Sequence, residues 1–172
     1  PAAEPSACRD ETEGPPAGPP GDGKNGETDA VEVPLTPGQT ELSFASQKSD
    51  ANSCVYNECR LLHLRGALKS GELGAALQQL VNRHEALRST FAPAGDSQRI
   101  LPVLKLEVPF TDFSELTSAE QLTRLDDLQL KQARQHFDLN HGPLARAQLL
   151  RLSERHHVLA LTVHHIVCDG HS

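Results

Sequence analysis

Apolar side chains along the chain recur with two periods, and those periods place its elements. Leu73, Ala76, Leu77, Leu80 and Val81 fall at i, i+3, i+4, i+7 and i+8, which gathers them on one helical face, with Ser70 placed to cap the helix. Before it, Arg60-Leu61-Leu62-His63-Leu64-Arg65 is aliphatic-rich and halts at Gly66, which predicts a strand. Ala86 to Phe91 and Arg99 to Leu101 predict two more strands across the turn-forming Pro93-Ala94-Gly95-Asp96. Thr117-Ser118-Ala119-Glu120 has capping-box spacing, and Leu122, Leu125, Leu128 and Phe137 continue it as a long amphipathic helix ended by Asn140-His141-Gly142-Pro143. Ala145 to Leu152 and Val158 to Val163 predict the last two strands. The second is nearly all apolar, as in a strand covered on both faces. A short helix over Gln39 to Gln47 follows a turn-rich start at Pro34. Interleaved strands and helices define an α/β class, a mixed sheet with helices packed against it.

Charge changes the picture of the N-terminus. Of the net −7 carried by 172 residues, residues 1–33 hold eight acidic side chains against Arg9 and Lys24, so the remainder is close to neutral. The same stretch carries half of the 12 prolines, and Val31 and Val33 are its only large aliphatics. So little apolar surface does not offset the entropy of ordering it, and residues 1–33 are expected to be a disordered acidic Pro/Gly-rich linker ahead of a unit spanning 34–172. A chain beginning at Pro1 with no methionine is expected to be processed or cut from something longer. The near-neutral remainder gives no electrostatic footprint for nucleic acid, and no run nears the ~18–20 apolar residues of a membrane span. The four cysteines form no CxxC pair, and the nine histidines show no ligand spacing, so free thiols in the cytoplasm and no metal are expected.

Candidate chemistry gathers at the C-terminal end, in His164-His165-Ile166-Val167-Cys168-Asp169-Gly170-His171-Ser172. Adjacent histidines leaving a strand must face opposite sides, so one can meet a reaction cleft while the other meets the interior. Imidazole titrates near neutral pH, which suits proton transfer. Asp169 lies four residues after His165, and its carboxylate can hold the imidazole or brace the loop through a cation. Gly170 gives the backbone freedom to turn back.

This ending resembles the HHxxxDGxS motif of nonribosomal peptide synthetase condensation domains. Three more stretches agree in order: Pro34-Leu35-Thr36-Pro37-Gly38-Gln39 with Leu42 and Phe44; Arg83-His84-Glu85-Ala86-Leu87-Arg88-Ser89-Thr90-Phe91, similar to RHExLRTxF; and Phe137-Asp138-Leu139 with Gly142-Pro143-Leu144 and Arg146, similar to FDLxxGPLxR. Together they span residues 34–172. The chain departs from the pattern at Ser43 and His171, where the family usually has tryptophan.

The resemblance implies a chloramphenicol acetyltransferase-like lobe, the N-terminal half of a two-lobe domain cut after its catalytic motif. It implies amide-bond formation between aminoacyl or peptidyl thioesters, with His165 catalytic as general base or as the group positioning the amine. His164, Asp169, Gly170, Arg83 and Arg88 would support the motif, with an ion pair from Asp169 to Arg88 or Arg83 fixing the loop. No cofactor would be bound directly. Substrates would arrive on the phosphopantetheine arms of upstream and downstream carrier domains, and the missing C-terminal lobe would be a further partner. Epimerisation domains and carrier-dependent acyltransferases share the HHxxxDG motif, and a non-catalytic lobe that binds carriers is the alternative outside enzymes.

Overall fold

A computed structural model describes residues 29–47 and 54–169. Its strands are β1 (Val31–Pro34), β2 (Asn57–Arg65), β3 (Ser89–Phe91), β4 (Ser97–Ile100), β5 (Phe110–Asp112), β6 (Ala145–Ser153) and β7 (His156–His164). The helices are α1 (Pro37–Gln47), α2 (Ser70–Arg83) and α3 (Ser118–Arg134).

Four strands form a sheet in the order β2-β7-β6-β5, antiparallel except for the parallel β5–β6 pair. A parallel pair needs a long crossover, and α3 provides it. The apolar run of β7 sits between β2 and β6, where both faces are covered. On one face Leu159 packs with Ala145 and Ala147 of β6 beneath Leu77 and Val81 of α2. On the other, Val158 and Ala160 pack with Leu150 and Leu152 against Leu125 of α3. Burying one such aliphatic side chain contributes about 1.5–3 kcal/mol, so β7 and its two flanking helices form the stable centre of the lobe.

A second, three-stranded antiparallel sheet runs β1-β4-β3. Its β3–β4 turn uses Gly95 at φ 70°. The Ala92 N–H donates to the Ser97 carbonyl and the Gly95 N–H to the Ala92 carbonyl, each at 2.9 Å, which closes the turn. The Phe91 N–H donates to the Leu139 carbonyl at 2.7 Å, tying this sheet to the segment before β6. There Phe91, Phe137, Leu139, Leu144 and Ile166 form a third core, with Leu35 and Leu42 packed on it.

Several expectations shift. Val31 and Val33, assigned to the linker, lie in β1, paired residue for residue with Ile100 and Gln98. The ordered lobe therefore begins before Pro34, and residues 1–28 lie outside the described residues. Lys69, not Ser70, occupies the N-cap of α2, with no side-chain capping bond, and Ser70 is the first helical residue. The strand expected from Ala86 is a single 3₁₀ turn over Glu85–Arg88, and β3 starts only at Ser89. The capping box of α3 forms as expected, with Thr117 and Glu120 exchanging bonds. That helix stops at Arg134, and Phe137 lies beyond it in the third core.

The early stop has a cause in long-range capping. Arg146 on β6 donates from Nη2 to the carbonyls of Gln132 (3.2 Å) and Gln135 (2.7 Å) and from Nη1 to that of His136 (3.2 Å). Asn57 Nδ2 reaches the carbonyls of Ala133 and Gln135, and Cys54 Sγ that of Arg134. These donors satisfy the carbonyls a helix end leaves open, and a cation suits its negative pole. The Arg146 guanidinium also lies 3.7 Å from the centre of the Phe137 ring. Arg146→Ala is expected to cost about 2–3 kcal/mol of unfolding free energy, because charge-assisted bonds to several carbonyls are lost together. Arg146→Lys, which keeps the charge and loses the fork, should recover part of that loss in urea titrations.

Candidate active site

The two histidines at the end of β7 are positioned by both neighbouring chain segments. The His164 N–H donates to the Leu144 carbonyl at 2.9 Å, just before β6, and the His165 N–H donates to the Tyr56 carbonyl at 2.8 Å, just before β2. His164, the last residue of β7, is completely buried, while His165, the first residue past the strand, is half-buried.

Their hydrogen bonds fix opposite tautomers. His165 Nδ1 lies 2.6 Å from the Cys168 carbonyl oxygen. A carbonyl only accepts, so Nδ1 carries the proton and Nε2 keeps its lone pair. In His164 the Ile166 N–H donates to Nδ1 at 3.2 Å, so Nε2 carries the proton and faces Ser46 Oγ of α1 at 3.5 Å. Burial, together with repulsion from His136 and His165, pushes the His164 pKa down to about 4. It is therefore neutral near pH 7. Its ring meets Phe137 edge-on at 6.1 Å and Tyr56 at a tilt at the same separation. His164 is a packing residue, and of the two imidazoles only that of His165 is partly open to solvent.

The loop that holds His165 is a tight turn, with the Val167 N–H on the His164 carbonyl at 3.1 Å. Asp169 follows, exposed, next to the Cys168 carbonyl that orients the imidazole. Gly170 and His171 lie outside the described residues. Arg88 directs Nη1 to the carbonyls of Leu101 and Pro102, beyond β4, and Arg83 is exposed in the last turn of α2. Ser43, at the position where the resemblance expects tryptophan, is fully buried on the inner face of α1. Ser46 and the Cys168 carbonyl were not anticipated. A second small polar residue one turn after Ser43 was the available signal for Ser46. A backbone carbonyl leaves no trace in a sequence.

Among the described residues no group of three or more His, Cys, Asp and Glu side chains is arranged to hold a metal ion, and no helix is long and apolar enough to cross a membrane. Beside the turn that follows β7, an apolar groove of about 450 Å³ opens between α2 and the sheet.

A two-sheet lobe with a half-buried imidazole at the end of its central strand has a chloramphenicol acetyltransferase-like fold. The family model described as Condensation domain matches residues 29–172. The chain belongs to that family. It is 39% identical over 142 residues to chondramide synthase from Chondromyces crocatus and 35% identical over 143 residues to malpinin synthetase from Mortierella alpina. Those matches cover 81% and 82% of this chain and 4% and 2% of the two synthetases, so the chain spans a small part of the relatives it resembles. The starter condensation domain of rhizomide synthetase shares the fold, with a TM-score of 0.72 at 23% identity over 82% of this chain and 35% of that one. The described fold is the N-terminal lobe of such a domain.

Proposed function

We propose that the chain supplies the histidine-bearing lobe of a nonribosomal peptide synthetase condensation domain. An acyl or peptidyl thioester on one carrier domain is attacked by the amine of an aminoacyl thioester on another. The C–N bond forms, the C–S bond breaks, the thiol leaves with its phosphopantetheine arm, and the amine loses a proton. The observation that carries this reading is the Nδ1–H of His165 on the Cys168 carbonyl, which leaves Nε2 as an acceptor for an amine N–H. That contact serves proton removal and amine positioning alike. Backbone N–H groups and a second lobe closing over the site would stabilise the tetrahedral oxyanion and exclude water.

In this reading the wall facing His165 comes from a second lobe, since the matched lobe covers only 35% of the rhizomide synthetase domain. This 172-residue chain alone is accordingly expected to give no amide product from loaded carriers, and a two-lobed protein containing it to give product at a rate that His165→Ala lowers by about 10²–10⁴-fold. Product from the chain alone, or full turnover by the variant, would refute the proposal. Asp169 and Gly170 act as loop supports in this reading. Asp169→Asn should lower turnover at least about tenfold while leaving Tm within a few degrees, since misplacing a reacting group by about 1 Å can cost 10²-fold. Unchanged turnover would remove Asp169 from the site.

A further inference from the structure

We infer that His63 and His156 form a two-histidine site for a divalent transition-metal ion such as zinc, on the sheet face turned toward α3. His63 Nδ1 and His156 Nε2 lie 3.0 Å apart, and the ring centres 5.2 Å apart. Two imidazole nitrogens that share one tetrahedral zinc at ~2.0–2.1 Å are roughly 3.3–3.4 Å apart, with ring centres roughly 5 Å apart. The rings therefore stand at the right separation, and a tilt that opens the nitrogens by a few tenths of an ångström converges both lone pairs on an ion. Strand pairing holds them there. His156 opens β7 opposite Arg65 of β2, and His63 is two residues back along β2, so all three share the face on which Leu61 and Val158 pack with Leu125 of α3. His63 is exposed and His156 half-buried, so an ion can enter from solvent and keep water at its remaining positions. In the ion-free pair one of the two facing nitrogens must donate to the other. Binding moves that proton to the outer nitrogen of the same ring, so two neutral imidazoles coordinate without net proton release. The two histidines are 93 residues apart, which is why no ligand spacing shows in the sequence. Among the described residues no third His, Cys, Asp or Glu completes the set, and exposed Arg65 repels cations on the same face, so the site is open and exchangeable rather than a closed structural centre. The ion would tie β2 to the central strand β7 at the end of the sheet roughly 25–30 Å from His165, and so stabilise the lobe without touching that imidazole.

The test titrates the full chain with zinc sulfate at about pH 7.5, with affinity read by calorimetry and stability by thermal melting. One saturable equivalent is expected, with Tm raised by about 5 °C or more at about 100 times the Kd. His63→Gln and His156→Gln, which keep a hydrogen-bonding side chain but remove an imidazole ligand, should each weaken zinc binding about tenfold or more and remove the rise in Tm. His141→Gln, at an exposed histidine already paired with Asp138, should change neither. A second measurement holds whatever the substitutions do to folding. Cu²⁺ added to the unaltered chain at about a tenth of an equivalent should broaden the ring NMR signals of His63 and His156 before those of His141 and His165. Zinc binding that survives both glutamine substitutions, or copper broadening that reaches His141 or His165 first, would mean an adventitious ion only and overturn the inference, as would the absence of saturable binding. None of these outcomes depends on the reaction proposed for His165.

Discussion

Replacing His165 by alanine is expected to lower amide formation in the two-lobed protein by about 10²–10⁴-fold, the contribution a positioned acid–base group makes. The loss follows from one atom. The Cys168 carbonyl holds the proton on Nδ1, so in the neutral ring Nε2 is left as the acceptor. The variant should keep its fold, because the half-buried ring adds little to the cores on either side of β7. His165→Gln, which offers an oxygen or a nitrogen near the Nε2 position and cannot take up a proton, separates two roles. If positioning dominates, it should retain more activity than alanine, and if proton transfer dominates, the two variants should match. Loss of turnover confined to KM would contradict a role in the chemical step.

The second large effect lies one residue earlier and concerns stability. His164 is fully buried with its pKa pushed down to about 4, against about 6.5 in the unfolded chain. Between those values the unfolded state binds a proton that the folded state does not, so stability falls as pH drops from about 6.5 to 4 and levels off below. A shift of this size is worth roughly 3 kcal/mol. In His164→Asn the amide oxygen can still accept from the Ile166 N–H, but nothing at this position ionises. That variant should be less stable than wild type at pH 7.5, through lost packing on Phe137, and should lack the His164 share of the acid loss. Lowered carboxylate pKa values at Asp112, Glu120 and Asp138 add acid sensitivity common to both proteins, so the difference between the two pH profiles isolates the histidine. Parallel profiles would show that His164 is not buried in its neutral form.

The central features were legible in the sequence because they depend on local patterns. The apolar run from Val158 to Val163 marked the central strand, and Thr117 with Glu120 marked a helix start. What stayed hidden depends on partners distant along the chain. Phe137 continues the apolar spacing of α3, yet the helix ends three residues earlier because Arg146 and Asn57 take its last carbonyls. Val31 and Val33 sit in an acidic, Pro-rich context, and only pairing with β4 makes them a strand. β5 is three residues long and gains order from its parallel pairing with β6. Gln78 uses its side-chain amide as a surrogate strand, donating to the Leu104 carbonyl and accepting from the Leu106 N–H, which lets an irregular segment bury both leucines.

The site follows the same division. Motif positions named His165, but its orientation comes from a carbonyl three residues on, and the silent supporting role of His164 comes from Ser46 and Phe137, far off in sequence. The central claim is that two neighbouring imidazoles are held in opposite tautomers, one for packing and one for chemistry. Two-bond ¹H–¹⁵N correlation of the histidine rings at about pH 8, well above the usual imidazole pKa, tests it most directly. The account predicts a protonated Nε2 in His164 and a protonated Nδ1 with a bare Nε2 in His165. A His165 ring protonated on Nε2 would contradict it, since no lone pair would then face the substrate.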